Sequence, residues 1–148
     1  MAIDRENPTK YPPNIQAILK RPAPAAEVMG QELLEVDVER GTVRVAYNTT
    51  PQLANRFGAI HGGMTAAMMD DIISLAAGLQ IEWGQITPTL EMKVSYIKQG
   101  KPGSRLVAEA RTIRRGSKVI FLEADLKDEE GALIATASST VAVSTMKR

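Results

Sequence analysis

The residues best suited to do chemistry lie between Asn55 and Asp71. Asp70 and Asp71 sit side by side in the run MTAAMMDDIISLAAGLQ (Met64 to Gln80), which is otherwise rich in Ala, Met, Leu and Ile. At helical spacing Asp70 has Ala66, Ala67, Ile73 and Ser74 as neighbours. An ionised carboxylate in such surroundings costs several kcal/mol unless it is paired or hydrogen-bonded, so a core helix does not carry one without compensation. Asp71, about 100° further round the helix, has Ala67, Met68, Ser74 and Leu75 around it and serves different surroundings. A carboxyl held this way can act as a nucleophile or a general base. A plainer reading puts both acids at a wet end or edge of the helix.

The second feature is Asn55-Arg56-Phe57-Gly58-Ala59-Ile60-His61-Gly62-Gly63, which leads into that run. Free N–H groups at a helix start stabilise developing negative charge. Glycine lets a carbonyl approach the backbone closely. Together these are the needs of an oxyanion hole. The plainer alternative is a loop with a helix-start glycine pair and a histidine satisfied in the core. Asp70 lies nine positions after His61.

Two counts exclude other chemistry. There is no cysteine, which removes disulfides, thiolate catalysis, Fe–S clusters and Cys-ligated zinc. There is one histidine, so a multi-His metal site within one chain is excluded. No G-x-S-x-G motif occurs, and no route to a Ser-His-Asp triad is evident. With 18 Lys+Arg against 17 Asp+Glu the net charge is +1, which argues against a nucleic-acid partner.

The elements that must position these residues follow from periodicity. The 148 residues suit one domain. Residues 1–27 read as a proline-rich extension on the surface, with a short helix capped by Asn14 and running to Lys20. In Met29 to Glu39, Leu34, Val36 and Val38 alternate with acids; Val43, Val45 and Tyr47 follow the Arg40-Gly41 turn. Met64 to Gln80 is the only long helical pattern, apolar nearly all round. Four strands are expected after it, over Thr89–Lys98, Arg105–Arg114, Val119–Lys127 and Leu133–Ser144, as an antiparallel meander. On the first of these, Leu90, Met92, Val94 and Tyr96 are expected on one side. The expected class is α+β, one curved antiparallel sheet wrapped around a long central helix. Such a sheet leaves one side and its edges open, so a second copy is expected there.

Asn55, Gly58, His61-Gly62-Gly63 and Asp70, with the strand Thr89-Leu90-Glu91-Met92-Lys93-Val94-Ser95-Tyr96 and then Gly116, Asp128, Gly131 and Ala135, resemble the hotdog-fold acyl-CoA thioesterases of the phenylacetate-degradation (PaaI-like) type. The resemblance covers Gly41 to Val143. It implies that Asp70 is the acidic catalyst, as nucleophile or as base for water. It implies that Gly62 is the oxyanion donor through its N–H, and that Asn55 and His61 orient thioester and water. Thr89 matches a Ser/Thr that the family supplies from the partner subunit, with Thr87 close by. The resemblance further implies an acyl-CoA substrate, no cofactor beyond the coenzyme A it carries, and a homodimer with sites at the interface, pairing into a tetramer. A hotdog enoyl-CoA hydratase and an acyl-CoA-binding sensor without turnover are the alternatives.

Gly63 and Met64 adjoin the implied substrate site. Arg111, Arg114, Arg115 and Lys118 flank one strand turn and Lys98 and Lys101 another; either group can meet CoA phosphates, or be an ordinary solvated turn. Met64, Met68, Met69 and Trp83 can shape an acyl pocket, or be plain core. MAIDRENPTKYPP has no apolar segment typical of a signal peptide, and no run approaches ~18 apolar residues, so a cytoplasmic protein that spans no membrane is expected.

Overall fold

A computed structural model describes residues 1–146. The chain begins with helices α1 (Pro13–Lys20) and α2 (Pro24–Val28) and the hairpin β1 (Gln31–Asp37) and β2 (Thr42–Asn48). The long helix α3 (Gly62–Gly78) follows, then β3 (Gln85–Ile86), β4 (Thr89–Tyr96), β5 (Arg105–Arg115), β6 (Val119–Lys127), β7 (Leu133–Ala142) and β8 (Ser144–Thr145). Six strands form one antiparallel sheet in the order β1-β2-β5-β6-β7-β4, and β3 pairs with β8 separately.

Helix α3 lies against the inner face of this sheet, touching β2, β4, β5, β6 and β7. The reason is a stripe at i, i+1, i+4, i+5, i+8 and i+9: Met68, Met69, Ile72, Ile73, Ala76 and Ala77 are all fully buried. Burying each of the larger ones contributes about 1.5–3 kcal/mol. Facing them are the inward residues of alternate strand positions, among them Val43, Val45, Leu106, Ala108, Ala110, Ile120, Leu122 and Leu126. The other side of α3 differs from the all-round burial expected. Gly62, Ala66, Ala67, Asp70 and Ser74 are only half-buried, so this side of the helix is a shallow face of small residues. The helix also starts two residues earlier than the apolar pattern, because glycine carries no periodicity signal.

The strands after α3 do not form the expected meander. β5, β6 and β7 do follow one another, but β4 crosses to the far edge and pairs with β7, from Thr89↔Val141 to Tyr96↔Ala135. Alternation identifies strands and is silent on partners. On β4 the expected apolar side is also broken. A register shift between Thr89 and Glu91 turns Leu90 outward, 60% exposed, and Tyr96 at the other end is 57% exposed, while Met92 and Val94 pack on the core. A similar shift between Leu33 and Glu35 on β1 makes Leu33 and Val36 the buried pair, not the series Leu34, Val36 and Val38.

The N-terminal segment is more than a surface extension. Tyr11 and Ile15 are buried in the core. Asn14 does not cap α1, whose N-cap is Pro12. Its side-chain Nδ2 instead donates to the carbonyls of Gly78 (2.9 Å) and Ile81 (3.3 Å), satisfying groups left over at the end of α3. No helix among the described residues is long and apolar enough to cross a membrane.

Candidate active site

The loop before α3 is built by Asn55. Its side-chain oxygen accepts the N–H groups of Phe57 (2.9 Å) and Ala59 (3.2 Å), and its carbonyl accepts from Gly58. Gly58, at φ +82°, makes the left-handed turn that other residues resist. The Asn55 carboxamide therefore has only its Nδ2 hydrogens left for a ligand. The loop delivers His61 to the N-cap of α3. His61 Nδ1 accepts from the Gly63 N–H at 2.9 Å, and its carbonyl accepts from Met64 and Thr65. An accepting Nδ1 places the neutral ring's proton on Nε2. Gly63 is thereby committed, whereas the Gly62 N–H has no acceptor among the described residues. It stands at the positive end of a 17-residue helix. The Tyr96 hydroxyl donates to the Gly62 carbonyl at 3.0 Å and steadies that peptide from β4.

Two turns further along, Asp70 points to the β4 edge. Thr89 Oγ1 donates to Asp70 Oδ1 at 2.8 Å, within the same chain. The crossover of β4 to the sheet edge sets Thr89 beside the Asp70 of its own chain, so the two enter a site together, whichever protomer supplies the Gly62 N–H. Asp70 lies eight positions after Gly62, which at 1.5 Å per residue is ~12 Å along the helix. One carbonyl carbon cannot touch both from a single chain.

Asp71, about 100° round the helix from Asp70, faces β1 and β2 instead. Its Oδ2 takes a hydrogen bond from Gln31 Nε2 and lies 2.7 Å from the hydroxyl of Tyr47, a fully buried residue on β2. Burial pushes the Asp71 carboxyl above its ordinary value, against the lowering pull of these hydrogen bonds, and the Asp70 charge adds a push upward. Burial, and then Asp71 itself, pushes the Tyr47 phenol well up. Sequence reasoning asked for compensation of these acids without naming Gln31 or Tyr47 as partners of Asp71, or Tyr96 as the partner of the Gly62 carbonyl. The signal for a partner was present, but its identity lay on strands distant in sequence.

The other predicted residues fall elsewhere. Arg114, Arg115 and Lys118 sit on the β5–β6 hairpin at the opposite end of α3 from Gly62. Arg115 donates to the carbonyls of Gln80 (3.0 Å) and Gly116, while Arg114 and Lys118 are exposed without a side-chain partner among the described residues. Lys98 pairs with Asp128. Met68 and Met69 are plain core, Met64 is half-buried in the first turn of α3, and Trp83 lies past the end of α3, 68% exposed. The four do not form one pocket. Depressions on the single chain include one on the outer face of the sheet, lined by residues such as Lys93, Ser95, Glu123 and Asp125, and one by the start of α3, lined by Ile60, Thr65 and Tyr96.

A family model, the thioesterase superfamily, matches residues 57–135, from within the helix-start loop through α3 and β3 to β6 and into the start of β7. The chain belongs to the thioesterase superfamily. It is a thioester hydrolase of the hotdog fold. It is 30% identical over 114 residues to the Acyl-coenzyme A thioesterase 13 of Homo sapiens, covering 76% of this chain and 80% of that one. Against the mouse protein of that name the match is 31% and spans 64% of its length. A 1,4-dihydroxy-2-naphthoyl-CoA hydrolase of Listeria monocytogenes is 28% identical over 79% of this chain and 93% of its own. Among solved structures, a phenylacetic acid degradation-related protein of Ralstonia eutropha JMP134 superposes with a TM-score of 0.78 at 32% identity, covering 83% of this chain and 92% of that one. The E. coli PaaI protein shares the fold at a TM-score of 0.79 and 17% identity, over 97% and 96% of the two chains.

Proposed function

We propose that this chain hydrolyses the thioester of a small aryl or medium-chain acyl-CoA, in a site completed by a second copy. The observation that carries this reading is the ~12 Å between the two halves of the machinery on one helix. Asp70 with its Thr89 partner stands at one point of α3, and the unpaired Gly62 N–H at another. A two-fold axis beside the half-exposed face of Gly62, Ala66, Ala67 and Asp70 sets one helix antiparallel to its copy. Asp70 of each protomer then meets Gly62 of the other. The small side chains permit that close approach, and the exposed Leu90 on the open β4 edge supports pairing there. Two such dimers pairing into a tetramer complete the assembly.

The step needs few groups because a thioester carbonyl is electrophilic and thiolate leaves readily. With Asp70 as base, it takes a proton from water while the oxygen adds to the carbonyl carbon. The oxyanion rests on the Gly62 N–H. Collapse breaks the C–S bond, Asp70 returns the proton to the departing thiolate, and the new acid ionises into solvent. With Asp70 as nucleophile, its oxygen adds to the carbonyl carbon, the C–S bond breaks to release the CoA thiolate, and water then cleaves the resulting mixed anhydride, returning the Asp70 carboxylate and releasing the acid. His61 Nε2–H and Asn55 Nδ2 orient the thioester and the water. No cofactor enters beyond the coenzyme A of the substrate. Arg114 and Lys118, exposed and without a side-chain partner among the described residues, suit its phosphates. An aromatic acyl group is supported by the naphthoyl-CoA of the Listeria relative. The hydratase alternative is weakened because His61 Nδ1 is already engaged by Gly63.

The test is a panel of acyl-CoAs read by free-thiol release, with Asp70→Asn and Asp70→Ala beside the native chain. Turnover of an aryl- or medium-chain acyl-CoA, lost in both variants while the assembly survives, supports the reading. Full activity in either variant overturns it.

A further inference from the structure

The carboxyl beside the reacting one is the strongest unexplained feature. Asp71 is adjacent to Asp70 but takes no part in the step above. It sits instead in a closed chain of contacts: Gln31 Nε2 to Asp71 Oδ2, Asp71 Oδ2 to the Tyr47 hydroxyl at 2.7 Å, and that hydroxyl to the Met68 carbonyl at 2.8 Å. Hydrogens can be counted along it. A phenol has one hydrogen and a carbonyl has none. If Asp71 is an anion, the Tyr47 hydrogen must serve two acceptors, and one short oxygen–oxygen contact has no proton in it. If Asp71 is the neutral acid, its O–H donates to Tyr47, Tyr47 donates to Met68 and Gln31 donates to Asp71. Three contacts then hold three hydrogens, with nothing buried left unmatched.

We propose that Asp71 is a positioning residue that works as the neutral acid, bolting α3 to β1 and β2 and so fixing the rotation that presents Asp70 to Thr89. The inference rests on Asp70 being the working carboxyl. The anchors are well placed for this role. Gln31 opens β1, Tyr47 is near the end of β2, and the bolt reaches α3 at Met68 and Asp71, either side of Asp70. A turn of the helix about its axis would move Asp70 off Thr89, and displacements of about 1 Å at a reacting group can cost ~100-fold in rate. Keeping Asp71 neutral also leaves Asp70 without a like charge next to it. The titratable groups facing Asp71 are Tyr47 from β2 and Asp70 on its own helix, while β1 contributes the uncharged Gln31.

The experiment compares Asp71→Asn with Asp71→Ala in the intact protein. Asparagine reproduces the neutral acid: with the Gln31 amide reversed, its NH2 donates to Gln31 and to Tyr47. Asp71→Asn should keep kcat within about twofold and leave the acid limb of the kcat pH profile in place, while Asp71→Ala should lower kcat about tenfold or more at nearly constant KM. An acid limb that moves to lower pH in Asp71→Asn, or an Asn variant as impaired as the Ala one, means that Asp71 works as an anion and overturns the inference. Full kcat in Asp71→Ala overturns the positioning role. If Asp71→Ala fails to fold, the Asn variant decides. Infrared difference spectra separate this inference from the role of Asp70. A protonated-carboxyl band at assay pH should vanish in Asp71→Asn and persist in Asp70→Asn; its absence from the native protein overturns the neutral acid, whatever Asp70 does in turnover.

Discussion

Thr89 Oγ1 donates to Asp70 Oδ1 across 2.8 Å, tying the exposed edge strand β4 to the middle of the central helix. The bond leaves the carboxylate's other oxygen free and fixes which way the group faces. Replacing Thr89 by Ala removes one hydrogen bond to a charged group, worth about 1.5–3 kcal/mol. Thr89→Ala should lower kcat roughly 10- to 100-fold with the fold unchanged, and Thr89→Ser should restore most of it. Steady-state thiol release with circular dichroism as the folding control checks this.

Gly62 allows a single N–H to be deleted. It is the first residue of α3, where proline fits, and His61 before it has the extended geometry (φ −59°, ψ 134°) that proline requires. The nearest atoms an added Cβ would meet belong to the Tyr96 side chain, at an ordinary contact distance of 3.5 Å. Gly62→Ala should retain activity, while Gly62→Pro should fold and lose about 100- to 1,000-fold in kcat, as removal of an oxyanion donor does.

Mixing tests the shared site. Asp70→Asn and Gly62→Pro are each expected to be inactive alone. If Asp70 of one protomer works with Gly62 of the other, a mixed dimer contains one intact pair. Unfolding and refolding the two variants together should restore about a quarter of native activity under random pairing. No recovery, with mixed dimers demonstrated by mass, would show that each site belongs to one chain.

Asp71 gives stability a pH dependence of known sign. Its carboxyl is raised in the folded protein above 3.8, the ordinary value. As pH climbs from there, the unfolded chain releases this proton before the folded one does. The contribution is thus present in full below 3.8 and is lost as pH rises toward the raised folded value. Asp71→Asn cannot titrate. Its melting temperature, measured relative to the native chain at a series of pH values, should climb across that window and level off above it. A difference independent of pH would mean that Asp71 titrates alike in both states.

Much of the fold was legible because one physical signal carried it. The 3.6-residue stripe from Met68 to Ala77 and the two-residue alternation of Val43, Val45 and Tyr47 report which side of each element meets the core. Where a single inserted residue resets that alternation, as at Leu34 and Leu90, the signal inverted and the inward set was misread. Asn14 shows a different limit. Its type suits a cap, and it does cap a helix end, but the end is that of α3, more than sixty residues away.

By itself, the sequence determined that a carboxylate must be accommodated inside an apolar helix, that a glycine pair opens that helix, and that neither cysteine nor clustered histidine chemistry is available. Those are properties of residue type and local spacing, which one strand of text contains. Only the tertiary structure decided that Asp70 and Asp71 part company, one toward Thr89 and the other toward Tyr47 and Gln31. It alone set Thr89 against the Asp70 of its own chain, with Gly62 about 12 Å away along the helix. Strand order does this, and strand order follows from which edges find each other when the whole core closes, a condition that no local window contains.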